Sequence, residues 1–312
     1  MIAALASMAL VLLWAPALVV RFGRRVHPAD WARWSFGSLI AGTVALETTL
    51  VLFALPTVLR AFGAHALVAA CGRMTGSLMP GGPVVGWSVA MMAMLLPTAF
   101  VVGLRRARRT NRDVAACVAG LSTVLIAGHD VVLVALDEAV ALTVGGRRPV
   151  IVVSGGMRDA LSNDELEAAV RHEASHAAHG HGRYLAVLAG LDHAFVLLPF
   201  VRRSTAAVRC GIERWADEDA AGGCPGGRRV VRDALVAAVF ASVPVGVAAF
   251  GAVATIAERA VALQNPIEIS ALRRRMLVVG LSGVMLMAGV AAAVGGTQLW
   301  RVLIMPPFCT QR

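Results

Sequence analysis

Two histidines four residues apart, with a glutamate directly after the first, occur at His172-Glu173-Ala-Ser-His176. On a helix, positions i and i+4 lie on one face a turn apart, so both imidazoles can bind one zinc ion. Glu173, beside the first of them, can reach a water at the metal without ligating it, take its proton and later deliver that proton to a leaving amine. A catalytic zinc takes a third protein ligand and keeps one position open. The segment Glu213-Arg-Trp-Ala-Asp217 offers two carboxylates at the same helical spacing. Glu213 is expected as the third ligand, and Asp217 as the acceptor that orients a ligating histidine through its other ring nitrogen. Alone, this acidic pair beside Arg214 and Glu218 would read as a solvated helix face; with His172 and His176 it reads as half of a site for one Zn2+ per chain, able to hydrolyse peptide bonds.

Other candidates are weaker. His179 shares the ligand face, but ligands at i, i+4 and i+7 would spread over about 10 Å of helix, too far for one tetrahedral ion. His179 and His181 are expected as polar loop residues. The extended motif with a third histidine six residues after His176 is excluded, because Gly182 stands there. Glu47, inside an apolar run, is a functional candidate by default, although an interhelical hydrogen bond or interfacial position would also explain it. His193, Arg228, Arg229 and Arg232 could each donate to an oxyanion, and spacing selects none of them.

These groups need elements to hold them. Ser162-Asn-Asp-Glu165 has the pattern of a capping box and opens the helix that carries His172 and His176 towards Gly180. Upstream, two β-branched runs flank Gly145-Gly146 between Asp137 and Ser154, which predicts a hairpin. The surrounding chain is apolar: of 312 residues 58% are hydrophobic and 15% charged, more apolar side chain than one soluble core can hide. All 29 basic residues are arginine, which excludes a Walker A lysine, a Schiff-base lysine and a Ser-x-x-Lys acylation site. The net charge of +10 could suggest nucleic acid, but aromatic residues are only 5% and the arginines flank apolar runs, so no direct nucleic-acid partner is expected.

Four runs, 2–20, 34–59, 84–104 and 276–300, are long enough to cross a bilayer core of about 30 Å. With the N-terminus outside, Arg21, Arg24, Arg25, Arg33, Arg105, Arg106, Arg108, Arg109, Arg112 and Arg273 to Arg275 flank the cytoplasmic ends, whereas Arg60, Arg73, Arg301 and Arg312 lie outside. Making 234–257 a fifth span would move Arg273 to Arg275 outside, so that run is read as buried in the domain or lying at the membrane surface. The first run could be a signal peptide, but its arginines follow the apolar stretch and no small-residue cleavage site closes it. The expected organisation is mostly α and integral to the membrane: three transmembrane helices in 1–113, a cytoplasmic zinc peptidase domain with a small β-hairpin or sheet in 114–275, and a last span with a short outer tail in 276–312. The N- and C-termini are then both outside. Of five cysteines, Cys71 and Cys309 fall on the outer side, where a bridge and two free thiols both remain open.

At His172-Glu-Ala-Ser-His176 followed by Glu213-x-x-Ala-Asp217, the chain resembles the gluzincin membrane peptidases, most closely the BlaR/MecR-type family, whose relatives include HtpX and the CaaX prenyl endopeptidases. The resemblance implies several spans, a cytoplasmic zinc domain, and a hairpin strand before the active-site helix that can receive extended substrate by strand addition. It departs at the C-terminus. Antibiotic-sensing members carry a penicillin-binding domain after the last span, whereas here only residues 301–312 follow and lysine is absent, so direct β-lactam sensing by acylation is not expected. What remains implied is a zinc endopeptidase that cuts a cytoplasmic or membrane-proximal protein, for example a BlaI-type transcriptional repressor. The rival expectations are an HtpX-like quality-control protease and a catalytically silent signalling protein whose metal site is structural, closed by four protein ligands.

Overall fold

A computed structural model describes residues 2–20, 26–65, 68, 82–145, 148–223, 227–242, 250–265, 279 and 283. It is mostly helical, with one small sheet. Three apolar helices come first: α1 (Ile2–Leu18), α2 (Pro28–Ala61) and α3 (Gly82–Val118). By length and composition α2 and α3 can each cross a membrane, whereas α1 is shorter. The expected span at 276–300 lies outside the described residues apart from 279 and 283, and the possible Cys71–Cys309 bridge lies outside them too.

The sheet follows: β1 (Thr123–Ile126), β2 (His129–Val134), β3 (Ala141–Val144) and β4 (Val150–Ser154), in spatial order β1-β2-β4-β3. β3 and β4 form the hairpin that the glycine pair suggested, with Val144 opposite Val150. β1 and β2 form a second hairpin, and the parallel pairing of β2 with β4 joins the two. Side chains alternate across a strand, and the sheet uses both faces. Val131, Ile151 and Val153 pack towards Leu166 and Val170 of α5 (Asn163–His179), whereas Val132, Val144 and Val152 pack on Val118, Val114 and Ala115 at the end of α3. The sheet is therefore held between the helix that carries His172 and a helix long enough to span a bilayer.

Ser154 fixes the exit from β4. Its buried hydroxyl donates to the Glu138 carbonyl at 2.6 Å and accepts the amides of Val140 at 2.8 Å and Met157 at 3.0 Å, starting the short helix α4 (Gly155–Ala160). Ser162 and Glu165 then close the expected capping box on α5. Gly180, at φ 63° and ψ 35°, ends α5 in the left-handed region open to glycine and turns the chain into α6 (His181–Ala194).

α7 (Pro199–Gly223), α8 (Arg228–Ser242) and α9 (Phe250–Gln264) complete the described elements. The described parts of the apolar run 234–257 lie in α8 and α9, which pack on each other and on α7. Leu13 of α1, Leu39 of α2, Leu188 and Leu191 of α6, and Val208, Ile212 and Trp215 of α7 form one buried cluster, so the apolar N-terminal helices share a core with the helix that carries Glu213. α3 runs unbroken past residue 113 and meets α6 at two glycines. A Cβ on Gly103 would approach His193 Cβ to 2.6 Å and the Ala189 carbonyl to 3.0 Å; one on Gly190 would approach the Phe100 ring to 2.8 Å. Small residues let the two backbones come this close. Gly103→Ala is expected to lower stability by about 1–3 kcal/mol through overpacking, read as a lower unfolding temperature of the detergent-solubilised protein.

Candidate metal centre

α5 and α7 cross so that the two i, i+4 pairs face each other. His172 Nε2 and His176 Nε2 are 3.1 Å apart; Glu213 places Oε2 3.4 Å from His172 Nε2 and Oε1 3.6 Å from His176 Nε2. Three ligands of a tetrahedral ion at about 2.0–2.1 Å are separated from one another by about 3.3 Å. The donor set therefore fits zinc in both chemistry and spacing. His172, Glu173 and His176 also lie close enough together to hold a metal ion. Glu213 is the better third ligand, because the Glu173 carboxylate is engaged elsewhere: the Thr143 hydroxyl on β3 lies 2.9 Å from Glu173 Oε2 and 2.7 Å from the Glu173 carbonyl, donating to one at a time.

The outer nitrogens of both histidines are occupied. His172 Nδ1 lies 3.0 Å from Asp217 Oδ1, and His176 Nδ1 lies 2.9 Å from His181 Nδ1. With Nε2 of His176 turned to the metal position, its Nδ1–H donates to His181. This corrects the expectation for His181. It is no loop residue: it opens α6, is fully buried and packs edge-on against His176 and Trp215, because the left-handed turn at Gly180 brings the chain back under α5. His179 is likewise in the last turn of α5; it bonds Asp219 at 2.8 Å, an acceptor it shares with the Ser175 hydroxyl. Trp215 carries the guanidinium of Arg33 from α2 over its ring at 4.4 Å.

A residue unmarked by any motif completes the centre. Arg259 of α9 grips Asp217 with two hydrogen bonds, Nε to Oδ2 at 2.8 Å and Nη2 to Oδ1 at 2.6 Å, and reaches Glu213 Oε2 with Nη1 at 3.1 Å. The adjacent charged pair Glu258-Arg259 inside the mostly apolar stretch Phe250–Gln264 was the only signal for it, since a buried guanidinium must be paired. The other arginines considered pair elsewhere: Arg228 with Glu218, and Arg229 and Arg232 with Asp233. His193 lies against α3. Among the described residues no ion pair or hydrogen bond joins Glu47 to this cluster.

Burial opposes charge on each of these groups, and the pairs overcome it. Without a metal, burial draws His172 down, but its hydrogen bonds to Asp217 and Glu213 lift it to about 10. His176 is lowered by burial and then by the charge on His172. Burial raises Glu213, yet the His172 hydrogen bond and the Arg259 charge bring it down to about 2; Asp217 is also held low, chiefly by Arg259. His181 is lowered to about 3, mainly by burial, and so stays a neutral acceptor.

A metal must therefore displace a proton from His172. Between pH 7 and 9 the metal-free site is protonated there, so zinc affinity is expected to rise about tenfold per pH unit, measured by chelator competition. In Asp217→Asn this dependence should flatten, because burial then pulls His172 back down. His181→Phe keeps a ring in the pocket but removes the acceptor, and zinc affinity at fixed pH should fall about 10–100-fold.

Residues 105–216 match the family model described as Peptidase family M48. No curated protein and no solved structure matches the chain. The matched segment covers about a third of the sequence, includes Thr143, His172, Glu173, His176 and Glu213, and stops one residue short of Asp217. M48 peptidases are zinc metalloproteases. The part of the chain that brings the two histidines and Glu213 together is thus similar to the zinc metallopeptidases of family M48.

Proposed function

We propose that this chain is a membrane-embedded zinc endopeptidase that cuts a cytoplasmic or membrane-proximal protein. The observation that carries this reading is the triangle of His172 Nε2, His176 Nε2 and a Glu213 carboxylate with Glu173 beside it. Zinc held there supplies Lewis acidity towards a carbonyl and towards water. Glu173 takes the proton of the attacking water and passes it to the leaving amine. Thr143 keeps the Glu173 carboxylate turned towards the sheet side of the site. Asp217 and His181 fix the two ligand rings through their outer nitrogens, as outer partners do at catalytic zinc sites.

β3 is an edge strand of the sheet, and Thr143 lies on it beside Glu173. An extended peptide added along that edge would pass the base, which supports an endopeptidase over an enzyme that trims free ends. The apolar helices α2 and α3 support a multi-pass membrane protein, and the arginines that follow the apolar part of α3 support a cytoplasmic peptidase unit. The BlaR/MecR-type resemblance favours regulated cleavage of one or a few targets, such as a repressor, over general removal of damaged membrane proteins.

Glu173→Gln is expected to lower peptide hydrolysis by about 10²–10⁴-fold with zinc content unchanged. An equally active variant would sink the mechanism. N-terminal proteomics on cells making either form at matched levels separates the roles: a few Glu173-dependent cytoplasmic N-termini indicate regulation, and many scattered ones indicate quality control.

A further inference from the structure

The arginines of α3 do more than mark one side of a membrane. Arg105, Arg108, Arg109 and Arg112 stand at i, i+3, i+4 and i+7, the spacing of a single helix face, and all four are exposed. Among the described residues none of them has an ion-pair partner. Traced towards the start of the helix, the same face continues through Val101, Thr98, Met94, Met91, Trp87 and Val84, all exposed and all but Thr98 apolar. Only 11% of the most apolar stretch of α3 is buried. One outward stripe therefore changes from apolar to cationic without a break in the helix.

The dimensions agree with a whole bilayer and one headgroup layer. Residues 84–104 rise about 30 Å, the thickness of the hydrocarbon core, and 105–112 rise about 10 Å, enough to pass through the headgroup layer. We infer that Arg105, Arg108, Arg109 and Arg112 form a binding surface for anionic phospholipid headgroups, with lipid tails covering the apolar part of the same stripe. Guanidinium groups suit phosphate because they donate in pairs from a planar fork.

The surface bears on the peptidase unit through Asn111, which lies off the arginine face. Its side-chain amide donates to the Gly145 carbonyl at 3.2 Å, and its oxygen accepts the Gly145 amide at 3.3 Å, at the turn end of β3. The strand that carries Thr143 is thereby tied to the helix segment seated among headgroups. The inference rests on the membrane reading above and is independent of the peptidase chemistry.

The test uses full-length Glu173→Gln, so that hydrolysis plays no part. The detergent-solubilised chain is offered equal dioleoylphosphatidylglycerol and dioleoylphosphatidylcholine, and retained lipid is read by native mass spectrometry. At about fivefold per arginine near an anionic surface, retention of the anionic lipid is expected to exceed that of the zwitterionic one by at least about tenfold. The preference should shrink as salt rises from about 50 to about 500 mM, a readout on the chain without stripe substitutions. It should disappear when the four arginines are changed to glutamine with the unfolding temperature retained. No headgroup preference, or one that survives the four substitutions, would overturn the inference. So would equal displacement by inorganic phosphate, or stronger binding of a short single-stranded oligonucleotide. A chain that stays in solution without detergent would instead overturn the membrane reading, leaving the zinc site untouched.

Discussion

Asp217 is a carboxylate with almost no water and two cationic partners. Its side chain is 3% exposed; one oxygen faces both His172 Nδ1 and Arg259, and the other accepts from Arg259. An isolated charge so buried would be untenable, and with partners on both sides it becomes the point through which α5, α7 and α9 are joined. The His172 ring is held from behind by Asp217, so its Nε2 is aimed at the position that His176 and Glu213 also face. Removing either cation strands the carboxylate, a loss typically of about 3–5 kcal/mol. The centre is therefore cooperative: the histidine geometry, the Glu213 carboxylate and the docking of α9 stand or fall together.

The second requirement is that Glu173 be near the metal position without occupying it. Thr143 meets it from β3, and β3 takes its place from the sheet wedged between α5 and the end of α3. His176 is backed by His181, which packs on Trp215, and Trp215 in turn carries Arg33 of α2. Both Glu173 and His176 are thus two or three contacts from helices long enough to cross a bilayer. In chemical terms the site belongs to α5 and α7; in mechanical terms it is braced by the apolar helices.

Much of this was legible in the residues because helical spacing is local. The i, i+4 pairs at His172/His176 and Glu213/Asp217 fix which side chains share a face whatever the rest of the fold does, and the two faces meet. The capping box and the Gly145-Gly146 hairpin were readable for the same reason. Arg259 was not, since it reaches Asp217 across 42 residues and carries no local pattern. The parallel joining of β2 to β4 is equally non-local, and β1 lacks a pattern of burial to announce it. His181 was misread because polar residues after a helix-ending glycine usually lead into a loop, whereas here a second helix starts at once and buries its first side chain.

Arg259 also places the centre in time. A chain emerges from the ribosome in order, so α5 and α7 are made well before α9. Until residue 259 is available, Asp217 and Glu213 lack the cation that makes their burial tolerable, and the two helices have reason to stay apart. The last described helix thus supplies the part that lets the others close. The centre therefore cannot close when its two ligand helices are complete; it waits for Arg259 of α9, made 42 residues after Asp217.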